Sequence, residues 1–270
     1  MMKKFLTVCA LLLSLMACER QPRLVIIHVN DTHSHLETMR SGNDAGRGGI
    51  IERAAFVDSI RTVYGEDRVL LLHAGDFSQG TSYFTELEGK LEPVLINDLR
   101  YDCVTLGNHE FDNDIEALTG RLAMLDGVPV VSANIDVSQF ELANYVKPYA
   151  IVERGGMKIG IIGLESDLST NVSATVSSRF QQLDNVEVTN RWAEYLHSGE
   201  KCDMIILLSH LGYREDREIV PKTRHIDIVI GGHSHTFVDG FVYVGDADGR
   251  EVPIITDGCW GLEMGLIKIR

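Results

Sequence analysis

The sequence predicts an α/β fold in which a largely parallel sheet carries helices on its faces. Continuous apolar runs of strand length alternate with segments whose apolar residues recur at helical spacing, a pattern typical of such sheets. The chain has 270 residues, of which 44% are hydrophobic, and this is enough for one sizeable core. Several apolar runs end in polar residues, often after a glycine, which places polar groups where α/β proteins carry out chemistry.

The first 18 residues are interpreted as an export signal that is not part of the fold. Lys3 and Lys4 precede an apolar run over 5–17, which is too short to span a bilayer but typical of a signal peptide. The four residues that end at Cys18 resemble the lipobox of bacterial lipoproteins. This implies a lipid on Cys18 and a location in the periplasm or at the outer membrane. The alternatives are an ordinary signal peptide cleaved nearby and an uncleaved N-terminal anchor.

A single folded domain is expected over residues 24–270, behind a short tether at 19–23. Strands are expected at apolar runs that end in turn or polar residues, and covering helices at the segments between them. The predicted strands are 24–29, 68–74, 102–106, 128–131, 145–152, 157–164, 204–210, 226–231, 240–244, 252–256 and 265–269. The predicted helices are 50–63, 91–99, 113–125, 186–196 and 214–222. Residues 166–182 are rich in serine and threonine and are expected to form a loop.

The charge of the chain disfavours binding to nucleic-acid polymers. The sequence has 25 basic and 39 acidic side chains, a formal net charge of −14, and loss of Lys3 and Lys4 with the signal makes it −16. Binding such polymers depends on lysine and arginine contacts to phosphates. A small phosphate substrate would need a local positive centre, and bound metal ions are the expected source. No later apolar run is long enough to span a membrane, so membrane contact is expected only through the lipid anchor.

The three cysteines outside the signal, Cys103, Cys202 and Cys259, are expected to be small core residues. None forms a CxxC pair, so the sequence indicates neither a disulfide framework nor a thiolate metal site.

Five predicted strand ends deliver carboxylate, amide or imidazole groups. Asp31 and His33 are spaced i, i+2, which puts both side chains on one side of an extended segment. Each such residue alone is compatible with an ordinary core or turn position. It is improbable, however, that five successive strands would all place such residues at the same edge by chance. The candidate metal ligands are Asp31, His33, Asp76, Asn108, His210, His233 and His235. Seven ligands are too many for one ion, which indicates two metals, with Asp76 as the natural bridging carboxylate.

A Gly-Asn-His turn follows the third predicted strand and carries the candidate catalytic pair. Gly107 allows a sharp turn, so Asn108 can face a metal while His109 is free for proton or charge chemistry. Asp112 lies three residues further on and could hold His109 in one tautomer. Two further histidines, His35 and His73, are expected to be an ordinary loop residue and a packed strand residue.

These motifs, taken in order, resemble those of the calcineurin-like metallophosphoesterases. The strings Asn-Asp-Thr-His at 30–33, Leu-Gly-Asn-His-Glu-Phe-Asp at 106–112 and Gly-Gly-His-Ser-His at 231–235 are similar to the metallophosphatase domain of periplasmic 5′-nucleotidases. The resemblance covers 24–270. It implies a two-sheet sandwich flanked by helices, two divalent metal ions, and a hydroxide generated at the metals as the nucleophile.

The resemblance also implies how the candidate residues are divided. One metal would be held by Asp31, His33, Asp76 and His235. The other would be held by Asp76, Asn108, His210 and His233. His109, oriented by Asp112, would stabilise the charge that builds on the phosphoryl or leaving oxygen. Ligands of this kind, without cysteine, admit Mn, Fe, Zn or Co.

The expected substrate is a small phosphoester, and nucleotides are the favoured class of substrate. Family nucleotidases carry a C-terminal domain that grips the base and ribose, and this sequence stops before such a domain. Either the domain acts alone on simpler or cyclic phosphoesters, or a separate chain supplies the missing half. A 5′-nucleotidase leads over a 2′,3′-cyclic-nucleotide phosphodiesterase or a sugar-nucleotide hydrolase. The alternative of another class is a non-catalytic, metal-stabilised binding domain that acts with a partner chain.

Overall fold

A computed structural model describes residues 21–270, so the proposed signal, Cys18 and the first two tether residues lie outside the described residues. The strands are β1 Leu24–Val29, β2 Val69–His73, β3 Cys103–Thr105, β4 Val130–Val131, β5 Ile135–Asp136, β6 Val146–Lys147, β7 Tyr149–Arg154, β8 Met157–Glu165, β9 Gln181–Gln182, β10 Met204–His210, β11 Ile228–Gly231, β12 Val242–Gly245, β13 Glu251–Ile255 and β14 Gly265–Ile269. The α-helices are α1 Ile50–Tyr64, α2 Ser82–Leu87, α3 Leu91–Leu99, α4 Asp114–Leu122, α5 Leu168–Asn171, α6 Ala174–Ser177, α7 Asn185–Glu194 and α8 Tyr213–Ile219.

The strands form two six-stranded sheets, as the family resemblance implies. Their orders are β14-β1-β2-β3-β4-β6 and β12-β13-β11-β10-β8-β7, and β5 and β9 make a separate two-stranded pair. Within the sheets, β1 to β4 and β6 are parallel, and so are β8, β10, β11 and β13. The edge strand β14 is antiparallel to β1 and the edge strand β12 is antiparallel to β13, whereas β13 is parallel to β11.

The core between the two sheets follows from side-chain alternation along the strands. Leu24 and Ile26 of β1 pack with Ile206 and Leu208 of β10 in one cluster of fully buried side chains. The intervening residues of β1 point the other way, into a second cluster against the helices. Both faces of β1 are therefore buried, which explains why its sequence is a continuous apolar run.

Hydrogen bonds fix the N-terminal end of β1. This end lies opposite to the end that is followed by the polar residues Asn30 to His33. Arg23 donates from Nη2 to the carbonyl of Gly156 at 2.7 Å and from Nε to that of Gly155 at 3.3 Å. Those glycines form the turn between β7 and β8, which pair antiparallel.

Two regions differ from the sequence prediction. The segment before α3 contains the short helix α2, which was not predicted because six residues are too few to show helical periodicity. Residues 166–182, predicted as a loop, contain the four-residue helices α5 and α6 and the short strand β9. Asp167 caps α5 by accepting a hydrogen bond from the Ser169 backbone N–H at 2.9 Å.

All three cysteines outside the proposed signal are free, as predicted. Cys103 and Cys259 are buried, and Cys202 is half-buried. Within residues 21–270, the helices are all too short or too polar to cross a membrane.

Candidate metal centre

The carboxyl ends of β1, β2, β3, β10 and β11 meet at one edge of the two sheets, and the predicted ligand residues lie there. Three overlapping groups of side chains each place one ligand atom per residue within 4.8 Å of the others. The groups are Asp31–His33–His235, His33–Asp76–His109 and Asp76–His210–His233. Because His33 and Asp76 each belong to two groups, the three groups form one continuous cluster.

The first group lies around Asp31. The Nε2 atoms of His33 and His235 are 2.9 Å apart, and they lie 3.7 and 3.4 Å from Asp31 Oδ1. The hydrogen bond to Asp31 is the largest cause that raises the pKa of His235, to about 10. Two imidazole nitrogens and a carboxylate oxygen so close together match the donor set of a divalent metal site.

Asp76 joins the first group to the others. Its Oδ2 lies 3.8 Å from His33 Nε2 and 3.1 Å from His210 Nε2. Burial alone would raise the pKa of Asp76, but the neighbouring histidines, His210 above all, outweigh it and hold the pKa well below its ordinary value. Asp76 is therefore held as a carboxylate between two sets of imidazoles, the position that a bridging ligand requires.

Asn108 lies in the turn after β3, between Gly107 and His109, and the His109 N–H of that turn contacts Asp76. Its side-chain Oδ1 is buried and has no hydrogen-bond partner among the described residues. A β-carbon added to its neighbour Gly107 would lie 2.2 Å from Asp76 Oδ1 and 2.7 Å from His210 Nε2, so only glycine permits this approach. A buried amide oxygen without a donor is costly unless it meets a ligand, and a metal ion would satisfy it.

Polar contacts behind the cluster orient the ligand atoms. The Nδ1 of His210 lies 2.7 Å from the carbonyl oxygen of Ala74, which favours the tautomer with hydrogen on Nδ1 and turns Nε2 toward Asp76. Asp31 Oδ2 accepts hydrogen bonds from Asn30 Nδ2 at 2.6 Å and from the backbone N–H of His233 at 2.9 Å. Asn30 was not singled out from the sequence, although it stands directly before a predicted ligand.

The backbone of the ligand loops is strained. Five of the seven predicted metal ligands have φ in the left-handed region, which non-glycine residues seldom adopt: Asp31 at 51°, His33 at 48°, Asp76 at 54°, His233 at 71° and His235 at 52°. Such strain costs on the order of 1–3 kcal/mol per residue and persists where the surrounding structure enforces it, as at ligand clamps.

His109 and Asp112 form a pair at the rim of the cluster. Asp112 Oδ2 lies 2.8 Å from His109 Nδ1, and both side chains are 30% exposed. The hydrogen bond to Asp112 is the main cause that raises the pKa of His109. The backbone N–H of His109 donates to Asp76 Oδ1 at 3.0 Å, and its ring meets that of His33 edge-on at 5.2 Å. His109 is thus a partly exposed imidazole beside the ligand cluster, and its contact with Asp112 favours the protonated form.

Glu110 belongs to the Leu-Gly-Asn-His-Glu-Phe-Asp string at 106–112, but no role was predicted for it from the sequence. Its fully buried carboxylate accepts backbone hydrogen bonds from Asp76 at 2.9 Å, Ser78 at 2.9 Å and Gly107 at 2.6 Å. Burial and the charge of Asp76 raise the pKa of Glu110 to about 7. The residue ties the loop after β2 to the turn after β3.

The two histidines expected to be ordinary lie outside the three ligand groups. The ring of His35 stacks on Trp260 at 5.0 Å, and its Nδ1 lies 3.0 Å from the carbonyl oxygen of His33. His73 is buried in β2, its Nε2 lies 3.0 Å from Thr32 Oγ1, and burial lowers its pKa to about 3. His73 therefore packs beneath the loop that carries Asp31 and His33.

Two sheets between helices, with carboxylates and imidazoles gathered at the ends of the central strands, define a metallophosphoesterase. The chain belongs to the calcineurin-like phosphoesterase family, whose model matches residues 24–237. The family is dimetal-dependent, and the donor set described above fits divalent ions.

Individual relatives are similar over nearly the whole chain. A snake venom 5′-nucleotidase of Naja atra is 33% identical over 91% of this chain and 50% of its own length, and a probable 5′-nucleotidase of Treponema pallidum is 38% identical over 78% and 36%. The crystal structure of a 5′-nucleotidase precursor from Thermus thermophilus superposes with a TM-score of 0.82, at 33% identity over 90% of this chain and 50% of that one. The chain thus spans about half the length of these relatives or less.

Proposed function

We propose that this protein is a dimetal phosphoester hydrolase that releases phosphate from nucleotides, as a 5′-nucleotidase does. One observation carries the proposal. His33 and Asp76 each belong to two of the three ligand groups, and the His109–Asp112 pair stands at the rim of the same cluster.

In this proposal the seven predicted residues hold two metal ions. One ion is held by Asp31, His33, Asp76 and His235, and the other by Asp76, Asn108, His210 and His233. Two observations support this division: the buried Asn108 oxygen has no hydrogen-bond partner within residues 21–270, and Asp76 lies between His33 and His210. Manganese, zinc, iron and cobalt all suit these ligands.

When bound, two such ions supply a hydroxide from water near neutral pH and offset the charge of the phosphoryl group. The chain's own residues then orient the metal ligands and stabilise the charge that develops on the substrate. Asp76 fixes the spacing of the two halves of the site, while Asp31 is held in place by Asn30 and the His233 backbone. His109, whose pKa is raised mainly by the hydrogen bond to Asp112, would donate to the phosphoryl or leaving oxygen as negative charge builds there.

The names of the relatives support a nucleotide as substrate. A separate chain that supplies contacts to the nucleotide is also part of the proposal. Export through the N-terminal segment, with a lipid on Cys18 in the periplasm or at the outer membrane, is part of the same proposal. Its support is the sequence of that segment, which lies outside the described residues.

The proposal is tested by ester hydrolysis by the purified mature chain with added Mn²⁺. Released phosphate is measured for the monoesters, and the released nucleotide or p-nitrophenol for the diesters. The substrates are AMP, 2′,3′-cyclic AMP, UDP-glucose, p-nitrophenyl phosphate and its bis ester. Turnover of AMP in preference to the cyclic and sugar nucleotides is expected. Activity on p-nitrophenyl phosphate alone would remove the nucleotidase assignment but keep the hydrolase, and no turnover of any ester would favour a non-catalytic metal-binding domain. Elemental analysis of the same sample would identify the metals.

A further inference from the structure

The segment at 257–260 follows β13 and includes none of the predicted metal ligands, but it binds the loop of Asp31. The backbone N–H of Asp257 donates to Asn30 Oδ1 at 2.8 Å, and Asn30 Nδ2 donates to the carbonyl of the residue after Asp257 at 2.6 Å. The backbone N–H of Trp260 donates to the carbonyl of Asp31 at 2.7 Å. Three hydrogen bonds therefore hold the 257–260 segment against one ligand loop.

The 257–260 segment also binds the loop that carries His235. The N–H of Gly258 donates to the carbonyl of the residue after His235 at 3.0 Å, and Asp257 forms an antiparallel bridge with Phe237. Gly258 has a φ of 70°, and a β-carbon there would collide with the Phe237 ring, so this contact requires glycine. The segment thus joins the two loops that supply the ligand group around Asp31.

A buried side-chain contact ties Asp257 to His28, the one polar residue of β1. The Nδ1 of His28 lies 2.6 Å from Asp257 Oδ2, and the two side chains are 0% and 7% exposed. The ring packs against Gly265 of β14, where an added β-carbon would collide with it. A polar ring inside the core is costly unless it meets a polar partner, and the Asp257 carboxylate is that partner. The contact therefore fixes Asp257 relative to the strand that leads to Asp31.

We propose that Asp257 and His28 are positioning residues for one metal ion, an inference that rests on the proposed dimetal function. The ion is that of the Asp31 site, which is assigned to Asp31, His33, Asp76 and His235. Asn30 links the pair to this site, because its Nδ2 donates both to the 257–260 segment and, at 2.6 Å, to Asp31 Oδ2. A displacement of Asp257 therefore reaches a metal-binding oxygen through a single side chain.

The contacts of the 257–260 segment favour one metal site over the other. They reach the loop of Asp31 and the loop of His235. Asn108 and His210 are assigned only to the second site, the His210 site, and they lie in the turn after β3 and at the end of β10. Loss of the contact between His28 and Asp257 should therefore weaken the Asp31 site more than the His210 site.

The test measures Mn²⁺ affinity in two backgrounds that each keep one site. His233→Ala removes a ligand of the His210 site, and His235→Ala removes a ligand of the Asp31 site. Asp257→Ala should lower the affinity about 10- to 100-fold in His233→Ala, as for other residues that orient metal ligands. In His235→Ala it should change the affinity less than about twofold, as expected for independent sites. Calorimetric titration of the metal-free proteins gives both values.

The matched control is Asp239→Ala, an exposed aspartate between β11 and β12, which should leave both affinities unchanged. His28→Leu removes the other half of the contact and should weaken the same site. Because both changes remove one contact, His28→Leu combined with Asp257→Ala should bind Mn²⁺ no more weakly than Asp257→Ala alone. If Asp257→Ala does not fold, His28→Leu provides the comparison between the two backgrounds.

Melting temperatures of the same proteins separate positioning from general stability. A contact that serves only stability would lower the melting temperature and weaken Mn²⁺ binding equally in both backgrounds. That result, or unchanged affinity in both backgrounds, would overturn the inference and leave the dimetal proposal intact. A wild type that binds neither Mn²⁺ nor Zn²⁺ would instead refute the proposed function, and the inference with it.

Discussion

The carboxylate of Glu110 accepts a hydrogen bond from the backbone N–H of Asp76 at 2.9 Å, and so joins the turn after β3 to the loop after β2. The same carboxylate also holds the N–H groups of Ser78 and Gly107. One fully buried side chain thus sets the separation of two loops that carry predicted metal ligands. Arg121 adds a contact to the Glu110 carbonyl from the side of α4.

Glu110→Gln should weaken metal binding while keeping the fold. The amide has the size of the carboxylate, but its NH₂ group would face a backbone N–H and leave a buried donor unpaired, at a cost of about 1–3 kcal/mol. Affinity for Mn²⁺ should fall by about 10- to 100-fold, as for other residues that orient metal ligands. Denaturant unfolding and Mn²⁺ titration measure the two effects. The exposed Glu86→Gln is the control, and unchanged Mn²⁺ affinity in Glu110→Gln would contradict the role.

Asp76→Asn and His210→Ala should each abolish metal-dependent phosphate release. Asp76 is the proposed bridge, and His210 Nε2 lies 3.1 Å from its Oδ2, so either change removes a ligand from the centre of the site. The loss should be about 100-fold or more, since even residues that only support ligands cost 10- to 100-fold. Phosphate release with added Mn²⁺ is the measurement, and the exposed Asp58→Asn should behave as the wild type. Activity retained in both variants would reject the site.

The alkaline limb of the pH profile should depend on Asp112. The pKa of His109 is raised above its ordinary 6.5, mainly by the hydrogen bond to Asp112. If the protonated ring is the donor, activity is present below this raised pKa and falls as the pH rises through it. Asp112→Asn removes the main cause of the shift, so the alkaline limb of kcat/KM should move to lower pH.

The control for that profile is Asp98→Asn, an exposed aspartate on α3. In this variant the alkaline limb of kcat/KM should lie at the same pH as in the wild type. An alkaline limb that does not move in Asp112→Asn would show that another group controls it.

Gly107→Ala should damage the site although it adds a single methyl group. The new β-carbon would lie 2.2 Å from Asp76 Oδ1 and 2.4 Å from the Asp76 backbone nitrogen, so the turn after β3 must move. Loss of phosphate release is expected, together with a lower melting temperature. Gly120→Ala, where the added carbon meets open space, should retain both properties. A fully active Gly107→Ala would mean that the turn does not approach Asp76 as closely as described.

Much of the fold could be predicted from the sequence because its strands are buried on both faces. Runs such as 24–29 and 204–210 are continuous and apolar, and the polar residues after them lie at one edge because the strands are parallel. The seven predicted ligands follow from that rule, and the structure brings the side chains of six of them together, all except Asn108. Their assignment to metal ions stays a prediction.

Other features depend on contacts between segments that are distant in the chain. The role of Glu110 depends on N–H groups 32 to 34 residues away, and Trp260 stacks on His35 from the other end of the sequence. The short strands β5 and β9 have two residues each, too few to show an alternation. The left-handed backbone of Asp31 and His33 has no signature in residue type, since glycine is the usual choice there.

The direction of β1 has a consequence for how a tethered molecule meets its substrate. The strand starts beside Arg23, which is fastened to the Gly155–Gly156 turn, and it finishes next to Asp31, about 20 Å away at 3.3 Å per residue. Gln21 and the ligand cluster therefore lie toward opposite ends of this strand. If Cys18 carries the lipid that we propose, this direction would favour an orientation in which the cluster faces solutes in the surrounding fluid and not the phosphate groups of the membrane.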